Sequence, residues 1–275
     1  MNDNFKTPFS DLKNKTNRIK DWYSPEFVTI FGEVLNQKGK TLDSKKFLTS
    51  YSKSYKTLEM KSRVKLIAEL VNTHIEGDFK FKLSALNKLM FKEWPHEEGM
   101  MNYGFYLYPV AQFVEDYGHQ DVHASLDFIK LITKRFTGEF AIRPIANAHP
   151  ELTLKTMKLW SKDKNFHVRR LASEGLRAKL PWGMKIKWVH ENPEKTLPIY
   201  NALRNDPSLY VRRSVANSMG DIIKINEPLA YKTLQDWLSK KQTPENIWVI
   251  KHAIRHPAKK KIKKYLDLRI KLKTL

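Results

Sequence analysis

The sequence contains no cysteine, which excludes disulfide bonds, zinc sites with thiolate ligands and a cysteine nucleophile. No basic start followed by an apolar stretch comes after Met1, and no window approaches the roughly 20 apolar residues that a membrane span requires. These absences predict that the protein is neither exported nor inserted in a membrane. The expected compartment is the cytoplasm.

Several catalytic signatures are missing as well. The sequence has no H-E-x-x-H zinc motif, no glycine-rich phosphate loop ending in Lys and Ser or Thr, and no G-x-S-x-G nucleophile turn. The run His96-Glu97-Glu98 lacks a second histidine at the spacing of a zinc helix. The motifs of these competing chemistries are therefore missing, and no cofactor is expected.

Acidic residues are few compared with basic ones, since 29 Asp plus Glu face 50 Lys plus Arg and leave a formal charge of +21. Such an excess predicts a polyanionic partner. Nucleic acid is favoured over a membrane surface because the basic residues are spread through the chain instead of forming one patch. The lysine-rich run at 259–264 is also compatible with a solvated surface that binds nothing.

Alternating β-branched runs are scarce, and apolar residues recur at three- and four-residue spacing, which predicts an all-α protein. The segment FHVRR at 166–170 returns as LYVRR at 209–213, 43 residues further on. A helix that begins at a proline, Pro150 or Pro193, precedes each copy, and a third, degenerate copy begins at Pro228. Helical pairs at a fixed period predict a HEAT-like repeat solenoid, an α-α superhelix.

In such a solenoid the second helix of each pair lines the concave side. We expect a concave basic groove that carries the paired arginines Arg169, Arg170, Arg212 and Arg213. The organisation predicted is a single domain over 1–275, with irregular helices over about 1–135 and clearer repeats over about 136–275. The stretches 36–52 and 94–99 have little periodicity and are predicted to be loops.

Three carboxylates stand in positions that suggest chemistry. Glu139 lies between aromatic residues, shortly before Pro144, a residue that can begin a helix but cannot continue one. Arg170, Glu174 and Arg177 follow i, i+4, i+7 spacing, which presents a carboxylate between two guanidinium groups. The alternatives are a first-turn glutamate stabilised by the helix dipole and an ordinary surface ion-pair ladder.

The equivalent face of the next repeat carries Arg213, Asn217 and Asp221. Acids weaken phosphate binding and would be avoided in a surface that only binds phosphates, so these faces are expected to contact something else as well. Trp182, just after Leu180-Pro181, is on sequence alone equally compatible with a packing residue.

Four motifs in this order resemble the AlkC family, which is part of the AlkC/AlkD superfamily of bacterial DNA alkylation-repair glycosylases. They are RFTGEFAIRP at 135–144, VRRLASEG at 168–175, LPW at 180–182 and VRRSVAN at 211–217. The dense similarity runs from about 107 to 224. The resemblance implies a HEAT-like solenoid that removes 3-methyladenine and 3-methylcytosine by monofunctional hydrolysis without a metal ion.

The resemblance also implies roles for individual residues. Glu139, Glu174 and Asp221 are the expected catalytic acids, and Trp182 and Phe140 are expected to contact the damaged base. The expected DNA contacts are Arg143, Arg169, Arg170, Arg177, Arg212 and Arg213. This chain has Gly220 where the family often has Asn. Since it stops at Leu275 in lysine-rich sequence, we expect the shorter form without a C-terminal immunoglobulin-like domain.

The predicted function is therefore a base-excision-repair glycosylase that acts on double-stranded DNA containing alkylated bases. We expect a monomer without an obligate protein partner, associated with the nucleoid when bound. The chemistry suits carboxylates, because a cationic base already leaves readily and the enzyme needs mainly to stabilise an oxocarbenium-like sugar and deliver water. The alternative is a non-catalytic HEAT-repeat module that binds bent or branched DNA. A protein-binding solenoid is disfavoured by the +21 charge.

Overall fold

A computed structural model describes residues 5–274. Within that range the regular secondary structure is helical and contains no strand, which confirms the all-α prediction. No helix of this range combines the length and the apolar character needed to cross a membrane. The chain divides into two compact units, Met1–Ile142 and Arg143–Leu275. A single continuous domain stays a prediction.

The first unit is built from irregular helices around an aromatic core. Phe9, Phe27 and Phe31 are fully buried, and the ring of Phe9 stacks on Tyr106 with the centroids 5.0 Å apart. The helices are α1 (Pro25–Asn36), α2 (Ser44–Ser52), α3 (Met60–His74), α4 (Phe79–Leu86), α5 (Met100–Gly104), α6 (Tyr108–Tyr117) and α7 (Val122–Thr133), and α8 (Ile142–Ala148) begins at the last residue of the unit.

One loop prediction is wrong. The stretch 36–52 contains α2, which begins where the side chain of Asp43 accepts hydrogen bonds from the backbone N–H groups of Lys45 and Lys46. The helix buries only Phe47 and Tyr51, one turn apart, so its apolar period was too short to detect. The loop predicted at 94–99 is confirmed.

The second unit contains the predicted helical hairpins. Its helices are α9 (Pro150–Trp160), α10 (Phe166–Glu174), α11 (Lys187–Glu191), α12 (Leu197–Leu203), α13 (Leu209–Ile225), α14 (Glu227–Ser239), α15 (Pro244–Ala253), α16 (Arg255–Lys259) and α17 (Lys263–Lys271). The pairs α9/α10, α12/α13 and α14/α15 are the hairpins, and their second helices pack side by side in chain order. This arrangement confirms the HEAT-like repeat of the fold prediction.

Small polar residues form the seam between α10 and α13. The hydroxyls of Ser173 and Ser214 lie 2.7 Å apart, and Ser218 donates to the carbonyl of Ser214 at 2.9 Å. All three side chains are buried, and these hydrogen bonds give their hydroxyls partners inside the seam, as buried polar groups require. Because serine is small, the two helices approach closely and bring their ends together.

Candidate active site

Glu174 is the last residue of α10 and is only 5% exposed. Its Oε1 lies 3.3 Å from Nη2 of Arg170 and 2.9 Å from Nη1 of Arg177. The predicted carboxylate between two guanidinium groups is therefore confirmed. Arg177 stands beyond the end of α10, in the turn after it, and not on the helix face that the spacing predicted.

The neighbours of Glu174 keep its carboxylate ionised. Burial alone would raise the pKa of Glu174, but the guanidinium groups of Arg170 and Arg177 and the hydroxyl of Ser214 outweigh it, and the pKa lies below its usual value. A buried anion of this kind survives because its partners satisfy it. Glu174 is thus a fixed negative charge at neutral pH.

Asp221 lies in α13 and is 2% exposed. Its Oδ2 lies 2.9 Å from Nε of Arg177 and accepts a hydrogen bond of 3.3 Å from the backbone N–H of Lys179. Lys224 approaches the other carboxylate oxygen at 3.7 Å. One guanidinium, that of Arg177, therefore bridges the acid pair, Glu174 and Asp221, which two consecutive hairpins supply.

Two neighbours of the acid pair were missed by the sequence analysis. The ring of Tyr210 lies under the guanidinium of Arg170, 4.9 Å from its centroid, and Ser214 donates towards Glu174. Both residues belong to α13, one turn apart, on the side that packs on α10. Aligning the two repeats gives a signal, because Ser214 occupies the position of the apolar Leu171.

The first arginine of each Val-Arg-Arg motif holds a loop. Arg169 donates to both carboxylate oxygens of Asp206 at 2.6 and 3.0 Å and to the carbonyl of Asp163 at 2.9 Å. Arg212 repeats the second contact, donating to the carbonyls of Asp206 and Pro207 at 2.7 and 2.9 Å. These guanidinium groups fix the turns between the two helices of each hairpin.

The predictions that Arg169 and Arg212 contact DNA conflict with these positions. Consecutive helical residues are separated by about 100° around the axis, so four arginines cannot share one surface as expected. The second arginines point elsewhere: Arg170 reaches Glu174, and Arg213 is exposed to solvent. Of the four, Arg213 is the most exposed, and its contact with DNA stays a prediction.

Arg143 was also predicted to bind DNA, and its position conflicts with that role. It is 0% exposed, so no phosphate reaches it. Its guanidinium donates to the carbonyls of Gly175 and Arg177, each at 3.0 Å, and its Nε donates to the carbonyl of Met184. Arg143 has a structural role inside the second unit.

Trp182 lies on the loop between α10 and α11 and is 80% exposed. Its backbone is left-handed, with φ of 59°, which is unusual for a residue other than glycine. Gly183, which follows, packs against the side chain of Leu180. An exposed tryptophan in a strained backbone is not a packing residue of the core.

Glu139 and Phe140 belong to the first unit. Glu139 stands in the turn before α8, as predicted, and its Oε2 accepts a hydrogen bond of 3.0 Å from the hydroxyl of Thr137. The half-buried ring of Phe140 stacks on Tyr108 with centroids 6.2 Å apart, and Nζ of Lys61 lies 5.6 Å from its centroid. Burial, then Glu115 and Glu139, raise the pKa of Tyr108 to about 12, so its hydroxyl stays protonated.

No group of three His, Asp or Glu side chains within residues 5–274 is arranged to hold a metal ion. The arrangement offers fixed charges instead. In the second unit Glu174 and Asp221 are buried and pair with the guanidinium of Arg177, and in the first unit Glu139 is oriented by a hydroxyl. Such groups stabilise a positive charge and orient a water molecule.

No family model matches the sequence. The uncharacterized protein YhaZ of Bacillus subtilis (strain 168) is 32% identical over 251 residues, which cover 91% of this chain and 67% of YhaZ. The structure of Pseudomonas fluorescens alkylpurine DNA glycosylase AlkC, bound to DNA containing an abasic site analog, matches with a TM-score of 0.81 and 30% identity, over 92% of this chain and 67% of that chain. The motifs, the helical repeats and this structural match agree, and the chain belongs to the AlkC family.

Proposed function

We propose that this protein is a monofunctional DNA glycosylase that hydrolyses the N-glycosidic bond of cationic N3-alkylated bases, 3-methyladenine and 3-methylcytosine. The observation that carries the proposal is the buried acid pair, Glu174 and Asp221, inside a chain of net charge +21. A surface that only binds phosphates has no use for buried anions. The DNA-bound AlkC structure supports DNA as the partner.

The reaction requires little from the protein beyond electrostatics. The bond between C1′ and the base nitrogen breaks, its electron pair neutralises the cationic base, and the sugar becomes oxocarbenium-like. A water oxygen then bonds to C1′ and loses its proton. A carboxylate near C1′ stabilises the positive sugar and accepts a hydrogen bond from the attacking water.

Two groups of residues would share these roles, one acting on the sugar and the water and the other on the charged base. Glu139 is oriented by Thr137 and is accessible, so it is the acid we assign to the sugar and the water. Glu174 and Asp221 are buried, and we assign them to the negative potential that favours a cationic base over its neutral counterpart. The positive charge of the methylated base is the feature that normal adenine lacks.

Aromatic side chains supply the second part of this discrimination. The exposed indole of Trp182 offers a π face to a cationic base, a contact of roughly 0.5 to 2 kcal/mol. Phe140 presents a half-buried ring and already lies near a cation, that of Lys61. The exposed Arg213 is the arginine that we assign to a DNA phosphate. We propose that the protein acts as a monomer on duplex DNA.

The test is release of free base from methylated duplex DNA, with products identified by chromatography and the wild type compared with Glu139→Gln. We expect the wild type to release 3-methyladenine and to leave an abasic site without strand cleavage. Glu139→Gln should bind the same DNA and release base about 100-fold more slowly or worse. A wild type that binds DNA tightly and releases no base from any methylated substrate would instead be a non-catalytic DNA-binding module.

A further inference from the structure

The buried guanidinium of Arg143 joins two parts of the second unit that the proposed function needs. It donates to the carbonyls of Gly175 and Arg177, in the segment that follows Glu174. It also donates to the carbonyl of Met184, two residues after Trp182. We propose that Arg143 is a positioning residue that holds the Trp182 loop, residues 180–186, against the acid pair, an inference that rests on the proposed function.

Helix α8 repeats this contact one turn later. Nδ2 of Asn147 donates to the carbonyl of Lys185 at 2.9 Å, and its Oδ1 accepts from the backbone N–H of Lys187 at 3.0 Å. The indole of Trp188 donates to the carbonyl of Ala146 at 2.8 Å. One short helix thus fixes the Trp182 loop at its middle and at its end.

The loop needs such anchors. With 80% of its side chain exposed, Trp182 owes little of its placement to burial, and its left-handed backbone is disfavoured for a residue with a Cβ atom. Gly183 leaves room for the stem of Arg143, because a Cβ there would lie 3.2 Å from Cδ of Arg143 and 2.9 Å from Leu180. Hydrogen bonds to the loop backbone therefore support the strained conformation.

The planar guanidinium of arginine holds these three carbonyls better than the ammonium of lysine would, because it carries several N–H donors in a fixed fork. Three carbonyls that diverge from one point require several N–H donors in a fixed plane, and burial removes water as an alternative partner. The same design occurs in the first unit, where Arg63 is buried and donates to the carbonyls of Leu58 and Lys20, each at 2.9 Å. Arg63 is therefore a matched control without a link to the Trp182 loop.

The first measurement is hydrogen exchange of the backbone amides of residue 180 and residues 182–186 in the free, full-length protein. Arg143→Lys keeps the charge and loses the fork, and we expect exchange in the loop to be about tenfold faster, the effect of losing a hydrogen bond. Arg63→Lys should lower the thermal midpoint and leave the loop unchanged. Unchanged exchange in a folded Arg143→Lys overturns the proposal.

The second measurement is single-turnover base release, with Arg143→Lys introduced into a protein that has Trp182 and into a Trp182→Ala variant. With Trp182 present, Arg143→Lys should slow release about 2- to 30-fold, the range of one cation–π contact. In a Trp182→Ala background the same substitution should have no further effect. An equal loss in both backgrounds means that Arg143 does not act through Trp182, and the proposal fails.

Asn147→Ala serves as the second variant if Arg143→Lys does not fold. It leaves Arg143 in place and removes only the bonds to Lys185 and Lys187. We again expect faster exchange in the Trp182 loop and slower base release, with no further slowing in a Trp182→Ala background. A wild type that releases no base contradicts the proposed function and not the positioning of the loop. In that case the exchange measurement alone decides whether Arg143 holds the Trp182 loop.

Discussion

Replacing Glu174 with glutamine removes one charge from the acid pair while keeping its shape. Removing one partner of a buried ion pair costs about 3–5 kcal/mol of the free energy of unfolding. The loss here should lie at the lower end, about 3 kcal/mol, because Arg177 keeps Asp221 at 2.9 Å and Arg170 keeps its stacking on Tyr210. Urea titrations monitored by circular dichroism measure this loss in the free energy of unfolding.

The same substitution should slow base release far more than the stability loss explains. A fixed charge that stabilises a developing cation contributes on the order of 100- to 1,000-fold to the rate. We therefore expect Glu174→Gln to reduce the single-turnover rate on 3-methyladenine DNA by about 100-fold or more, measured well below its thermal midpoint. Affinity for undamaged DNA should not fall, since a negative charge has been removed.

Asp206→Asn is the matched control. Asp206 is another buried acid of the same unit, paired with Arg169 at 2.6 Å, and it lies in a turn that the proposed chemistry does not use. It should lose a similar amount of stability and release base at nearly the wild-type rate. The reasoning is refuted if Glu174→Gln keeps the wild-type rate, or if Asp206→Asn slows release as much.

Three further outcomes are expected. Thr137→Val, which removes the hydroxyl that donates to Glu139, should slow base release about tenfold without changing DNA affinity in a gel-shift titration. Arg213→Ala should weaken binding to all duplexes and lower the salt dependence by about one counterion, measured by fluorescence anisotropy. Burial and the neighbouring Arg255 and Arg213 lower the pKa of His252 to about 4, below the unfolded value near 6.5. The native state therefore stays neutral while the unfolded state protonates, so stability falls between pH 6.5 and 4, and His252→Gln should reduce that loss in urea titrations.

The repeats were predictable because their signal is local. A proline at the start of a helix and a motif that returns after 43 residues specify hairpins whatever their surroundings. Helix α2 was missed for the opposite reason, since it contributes only Phe47 and Tyr51 to a core that distant segments complete. Short helices of this kind are stabilised by tertiary packing and not by their own pattern.

The acids could be predicted more completely than the arginines. The contact of Glu174 with Arg170 follows from their i, i+4 spacing, because such side chains lie on the same face of a helix. Nothing in the spacing of Arg143 distinguishes a buried residue from an exposed one. Its three acceptors include the carbonyl of Met184, 41 residues away, which only the folded chain brings near.

The acid pair is divided between two hairpins, so its integrity depends on how they stack and not on either hairpin alone. In a repeat array each unit is stabilised mainly by its contacts with neighbouring units. Opening of the interface between α10 and α13 would separate Glu174 from Asp221 while leaving most of the helices intact. Any treatment that opens this interface should therefore abolish function while most of the helical circular-dichroism signal remains.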